Sequence, residues 1–278
     1  MNPMPVIDAW IQFPNERFQN DPIFDSLRRW PTHSRELAAA SRVPTAEEAL
    51  GQMRLEGVSR VVACAWWGPR GPMIGNDEVA EVVRRHPDRV RGVASVDLLR
   101  PMDGVRELRR AVKQLGLSGL RLLPWLWGLP PDDRRYYPLY AECVELGIPF
   151  CTQVGHAGPM CPSEPGRPIP YLDHVAHEFP ELVIVGGHVG VPWLSEMVSL
   201  AMKHPNVYID TSAYKCTRYP AELVEYMKGP GRRKVLFGSN YPMLTAAQCL
   251  QGLEGLALPD EVRALFLGGN AARVYGLA

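Results

Sequence analysis

Two kinds of apolar pattern alternate along the chain. Short runs rich in Val and Ile, apolar at consecutive positions, give way to longer segments whose apolar residues recur every three or four places. The first kind predicts strands buried on both faces, as in a parallel sheet, and the second predicts amphipathic helices. VIDAWIQ opens the series, and RVVACAW, RVRGVASV, LSGLRLLP, IPFCTQVG, LVIVGGHVG, NVYIDTSA and KVLFGSN continue it, so eight strands are expected. Helices follow them. TAEEALGQMRLEG has Thr45 as N-cap, Glu48 three residues on and a closing glycine, which is a capping-box start with a glycine stop. NDEVAEVVRRH, with Asn76 or Asp77 as its expected cap, MDGVRELRRAVKQLG, YYPLYAECVELG and PYLDHVAHEFP repeat the pattern. VPWLSEMVSLAMKHP, PAELVEYMKG and AAQCLQGLEGL complete it.

Strand then helix, eight times, predicts an α/β fold: a single (β/α)8 TIM barrel over residues 1–278. A doubly wound open sheet is the alternative. It would place a Gly-rich phosphate loop after its first strand, and none follows here. Residues 14–44, rich in Pro, Arg and aromatics, interrupt the alternation and are expected to form an irregular loop over the barrel mouth.

Composition narrows the function classes. Thirty basic residues balance thirty acidic ones, so no net field draws the chain to nucleic acid or to a membrane. No apolar stretch approaches the ~20 residues of a membrane helix. MNPMPVIDAW lacks the basic and apolar regions of a signal peptide. The six cysteines are scattered without a CxxC pair, as expected of reduced thiols in a cytoplasmic protein. The expected partner is a small-molecule substrate, with a homodimer as the assembly left open.

Barrels of this kind work at the C-terminal ends of their strands. That rule selects Asp8, Trp10 and Gln12 from strand 1, Trp66 and Trp67 from strand 2, and Arg121 from strand 4, with Trp125 and Trp127 just beyond. It adds Gln153 and His156, His188, Asp210 and Tyr214, and Asn240 and Tyr241 from strands 5 to 8. His156 and His188 each follow a strand between glycines, where backbone and ligand can approach closely. The other histidines fall on predicted helix surfaces or loops. Arg121, at a barrel mouth, must meet an anion, either a structural carboxylate or one on the substrate. The aromatic group Trp10, Trp66, Trp67, Trp125, Trp127, Trp193 and Tyr214 suggests a flat or apolar ligand body.

Taken with NDEVAEVVRRHPDRVRGVASV, GHVGVPW, VLFGSNYP and NAARVYGL, in that order, these residues make the chain resemble the amidohydrolase-related superfamily. The branch it looks most like contains aminocarboxymuconate-semialdehyde decarboxylase. The resemblance implies a metal held by His-x-His at strand 1, histidines after strands 5 and 6, and an Asp at strand 8. His156 and His188 match, but Trp10 and Gln12 replace the first pair and Asn240 replaces the acid. An indole N–H is only a donor, and the two amides are neutral, weak ligands. Two histidines alone fall short of the usual three protein ligands of a catalytic metal. No metal and no other cofactor are therefore expected.

The expectation is a metal-independent hydrolase acting on an ester, lactone, amide or thioester of a small carboxylated substrate. His156 or His188 would serve as general base, and the other histidine with Asn240 and Gln12 as oxyanion donors. Arg121 would anchor a substrate carboxylate, with Trp10, Gln12, Trp66, Trp125, Gln153 and Tyr214 around the body. Two alternatives remain: a nonoxidative decarboxylase of an aromatic or unsaturated acid, and a non-catalytic binder of small acids.

Overall fold

The structure, a computed structural model, describes residues 6–40 and 42–277. Eight short parallel strands form the barrel: β1 (Val6–Ile11), β2 (Val58–Cys64), β3 (Val90–Val93), β4 (Leu120–Arg121), β5 (Phe150–Gln153), β6 (Ile184–Gly187), β7 (Val207–Asp210) and β8 (Val235–Leu236). Strands β1 to β3 hydrogen-bond in order, as do β4 to β8. Single bridges join the two arcs, Ala94 to Leu120 on one side and Ile11 to Tyr241 on the other. The ring is thereby closed. Asp8 and Trp10 fall on the inner face of β1, with Gln12 just beyond its end, while Ile7, Ala9 and Ile11 alternate outward.

The helical layer follows from local sequence. Thr45 and Glu48 form the reciprocal capping box over helix α1 (Ala46–Leu55), which buries Ala49, Leu50 and Met53. The next helix, α2 (Asn76–Arg85), differs from expectation. Gly75 is its N-cap, and Asn76 is buried as the first helical residue, donating to Ser95 O at 3.0 Å and Glu107 Oε1 at 2.8 Å. The predicted final segment AAQCLQGLEGL is also divided. Ala246–Leu250 and Leu253–Leu256 are separate turns, because Gly252 between them adopts φ +87°. His204 is buried rather than on a surface, 2.8 Å from Asp173. Among the described residues no helix is long and apolar enough to cross a membrane.

Two excursions shape the mouth. Beyond β2 the chain turns back in a hairpin, Trp66–Gly68 against Gly71–Ile74. Residues 14–44, read as irregular, contain three short helical turns: Glu16–Gln19, Pro22–Arg29 and His33–Ala39. Asn15, Asp21 and Thr32 cap them with their side chains. Such turns are too short to show a helical period, which is why the segment reads as loop. Phe18, Phe24 and Leu27 from this segment line the cavity at the barrel mouth.

Candidate active site

A cavity of about 660 Å³ opens at the C-terminal ends of the strands, within the range of small-ligand sites. Trp10, Gln12, Trp66, Trp125, Gln153, His156, His188, Tyr214 and Asn240 all line it. Arg121 does not. Its guanidinium lies beneath the cavity, 1% exposed, between the faces of Trp10 at 5.0 Å and Trp66 at 4.9 Å. It donates to Gln12 Oε1 at 3.1 Å and to the carbonyl of Ala65 at 3.3 Å. The expected anchor for a substrate carboxylate is thus a cation of the floor. Both readings of Arg121 assumed an anion within reach, and indole faces and amide oxygens answer that need instead.

Gln12 is the joint of this floor. Its Oε1 accepts from Arg121 and from Trp66 Nε1 at 3.0 Å. Its Nε2 donates to Tyr241 O at 2.5 Å and to Asn240 Oδ1 at 3.1 Å. Gln12 therefore has no donor left for an oxyanion, against expectation. Gln153 is committed in the same way, accepting from Trp125 Nε1 at 2.8 Å and donating to His156 O at 3.1 Å. Asn240, at φ +65° after β8, spends Oδ1 on Gln12 and leaves its amide N–H groups as donors at the cavity wall.

The two histidines differ in kind. His156 is exposed at the mouth, and its Nδ1 donates to the Val191 carbonyl at 3.3 Å, which turns Nε2 away from the backbone. His188 lies lower, at φ +73°, with Nδ1 2.7 Å from Ser212 Oγ and Trp10 edge-on at 5.5 Å. Burial first, then the charges of Arg121 and His156, pull its imidazole down to about 3, so it is neutral at ordinary pH. Behind it Asp210 accepts the Ser212 N–H at 2.9 Å, and burial raises its carboxyl to about 7. Asp8, also fully buried and raised by burial to about 7, accepts the N–H groups of Ser239 at 2.8 Å and Trp10 at 3.3 Å.

The donor set does not suit the metal that the family resemblance implies. Trp10 stands where a ligand imidazole would be expected, and its ring packs on Gly187. A Cβ at Gly187 would lie 2.7 Å from the indole. Gln12 is consumed by the floor, and Asn240 brings no charge. Among the described residues no three His, Cys, Asp or Glu gather as ligands.

Sequence reasoning missed Ser212, the partner of His188, and three cations at the cavity wall, Arg28, Lys215 and Arg218. The spacing Lys215-x-x-Arg218 beside strand 7 was the available signal.

The family model described as Amidohydrolase matches residues 7–277. The 2-amino-3-carboxymuconate-6-semialdehyde decarboxylase of Dictyostelium discoideum is 35% identical over 259 aligned positions, covering 73% of this chain and 65% of that protein, just under two thirds. A TIM-barrel protein from Bordetella bronchiseptica superposes with a TM-score of 0.83 at 24% identity, covering 98% of this chain and 99% of that one. A dihydroxybenzoic acid decarboxylase from Polaromonas, solved with manganese and 2-nitroresorcinol, gives 0.71 at 19% identity, covering 98% and 97%.

Proposed function

We propose that this chain, which belongs to the amidohydrolase family and within it to the aminocarboxymuconate-semialdehyde decarboxylase-like branch, is a nonoxidative decarboxylase of a small flat acid, working without a metal. The relatives favour this carbon–carbon lyase reading over the hydrolase expected from the sequence. One observation carries it: the cavity joins an indole-lined floor to a solvent-exposed histidine, with no acid on its wall among the described residues.

Hydrolysis needs a base beside a positioned water and donors aimed at an oxyanion. Gln12, the donor expected for that task, is spent within the floor. Decarboxylation asks less. A carboxylate pressed against Trp10 and Trp66 loses its water, which raises its energy relative to neutral CO2. The substrate carbon that carries it must be electron-rich, as in a phenol or an enol. It takes a proton from the His156 imidazolium; the C–C bond then breaks, its electron pair staying on that carbon as CO2 departs. His156 is the donor rather than His188, because the mouth lets solvent recharge it, whereas His188 stays neutral. His188 and the Asn240 amide would orient the substrate by hydrogen bonds.

The test is incubation with hydroxylated aromatic and enolic acids, and separately with esters and lactones of such acids, while CO2 and products are measured, with and without a chelator. The expected result is CO2 and decarboxylated product in equal amounts, with the rate unchanged by the chelator. Product of ester or lactone cleavage without CO2 would restore the hydrolase.

A further inference from the structure

The charges of the whole chain balance, thirty against thirty, but those around the cavity do not. Arg28, Lys215 and Arg218 line it, and among the described residues no aspartate or glutamate does. Arg28 has its own acid, Asp25 at 3.0 Å. Lys215 and Arg218 form no ion pair among the described residues.

Local structure points these two the same way. Lys215 precedes the tight turn Cys216–Arg218, and its carbonyl accepts the Arg218 N–H at 2.8 Å. Cys216 is buried beneath the turn, and the Thr217 N–H donates to the Gln251 carbonyl at 3.2 Å, so the turn is pinned at both faces. Lys215, the extended residue that caps the turn, and Arg218, its last residue, both line the cavity wall.

We propose that Lys215 and Arg218 form a recognition site for a second carboxylate of the substrate, separate from the carboxylate that leaves. The choice of which carboxylate they hold rests on the decarboxylase reading; the anion site itself does not. A cation in contact with the leaving group would stabilise charge that vanishes as CO2 departs, and so would hold back the reaction; Arg121 lies beneath the indoles and off the cavity wall, whereas Lys215 and Arg218 line it. The leaving group belongs against the indoles, and the cations hold a charge that persists through the reaction. A guanidinium fork takes a carboxylate by two parallel bonds, and the ammonium adds a point charge. The substrate class is then a flat dicarboxylic acid, long enough to reach from the floor to the turn after β7.

Calorimetric titration with benzoate and with the uncharged benzamide tests the anion site, since neither probe has the electron-rich carbon that the reaction requires. The expected result for the parent is roughly tenfold or more tighter binding of benzoate, the scale of one charge-assisted contact. In Lys215→Gln/Arg218→Gln that preference should disappear while benzamide binding stays the same. Equal affinity of the two probes for the parent, no measurable binding of either, or a preference that survives the double substitution would each overturn the proposal. A carboxylate preference without CO2 from any acid would sink the decarboxylase reading alone. CO2 release without the preference would sink this site alone.

Discussion

The indole of Trp10 lies against the α-carbon of Gly187, so closely that a Cβ there would sit 2.7 Å from the ring. Gly238 completes the fit on the other side, where a Cβ would approach Trp10 Cβ to 3.0 Å and Asp210 Oδ2 to 2.5 Å. The indole at the position where the resemblance implies a ligand imidazole is therefore matched by small neighbours. It is built into the barrel rather than laid over it.

That relationship predicts a coupled effect. Gly187→Ala should cost roughly 1–3 kcal/mol in the parent, the range for overpacking. In a Trp10→Ala background the same change should cost much less. Denaturant unfolding of the four proteins gives the coupling directly, and equal costs in both backgrounds would mean that the ring does not press on Gly187.

Gln12 should be a structural joint more than a contact for substrate. Gln12→Leu leaves the Trp66 indole N–H and one Arg121 donor without an acceptor, and removes one of the two donors to the Tyr241 carbonyl. A loss of roughly 2 kcal/mol or more is expected. Chemical denaturation measures it, and an unchanged midpoint would place Gln12 outside the support of the floor.

Asp210 predicts a pH signature. Its folded carboxyl is raised by burial to about 7, from an ordinary 3.8. Between these values the folded state holds a proton that the unfolded state has released, so its contribution to stability falls as pH rises. Above about 7 both states are ionised and the contribution levels off. Asp210→Asn removes the effect while keeping an acceptor for the Ser212 N–H. The melting temperature of the variant relative to the parent should therefore climb by roughly several degrees from pH 4 to pH 7, then flatten. His188, lowered to about 3, acts in the opposite sense in both proteins and cancels in the difference. A constant offset across this range would show that Asp210 ionises normally.

Restoring ligands should create metal affinity. Trp10→His with Gln12→His and Asn240→Asp returns the donor types that the family resemblance implies. Zinc titration by calorimetry is expected to give about one site per chain in the triple variant, with three or more protein ligands, and weaker or no binding in the parent. Equal affinity in both would mean that strand 1 does not supply the ligands.

Much of the architecture was legible because burial on both faces leaves unbroken apolar runs, and these mark all eight strands. Thr45 and Glu48 were legible as a capping box because that signal is local. Asn76 was not, since its bonds to Ser95 and Glu107 come from segments distant in sequence. The site was legible as a roster of strand ends but not in depth. Arg121 and Gln153 end neighbouring strands, yet one lies under the floor and the other on it. Nothing in the two-residue strand β4 reveals which of these levels an arginine occupies. Lys215 and Arg218 escaped notice because an unpaired cation is recognised only when its neighbours are known.

Turnover in deuterium oxide, with chelator present, measures the central claim most directly. A hydroxylated aromatic or enolic acid that the parent consumes should yield CO2, together with product carrying deuterium at the carbon that bore the carboxylate. The rate should fall by about 10²-fold or more in His156→Gln, the scale of a lost general acid. The account is contradicted if the product carries no deuterium at that carbon, if the chelator abolishes turnover, or if His156→Gln reacts as fast as the parent.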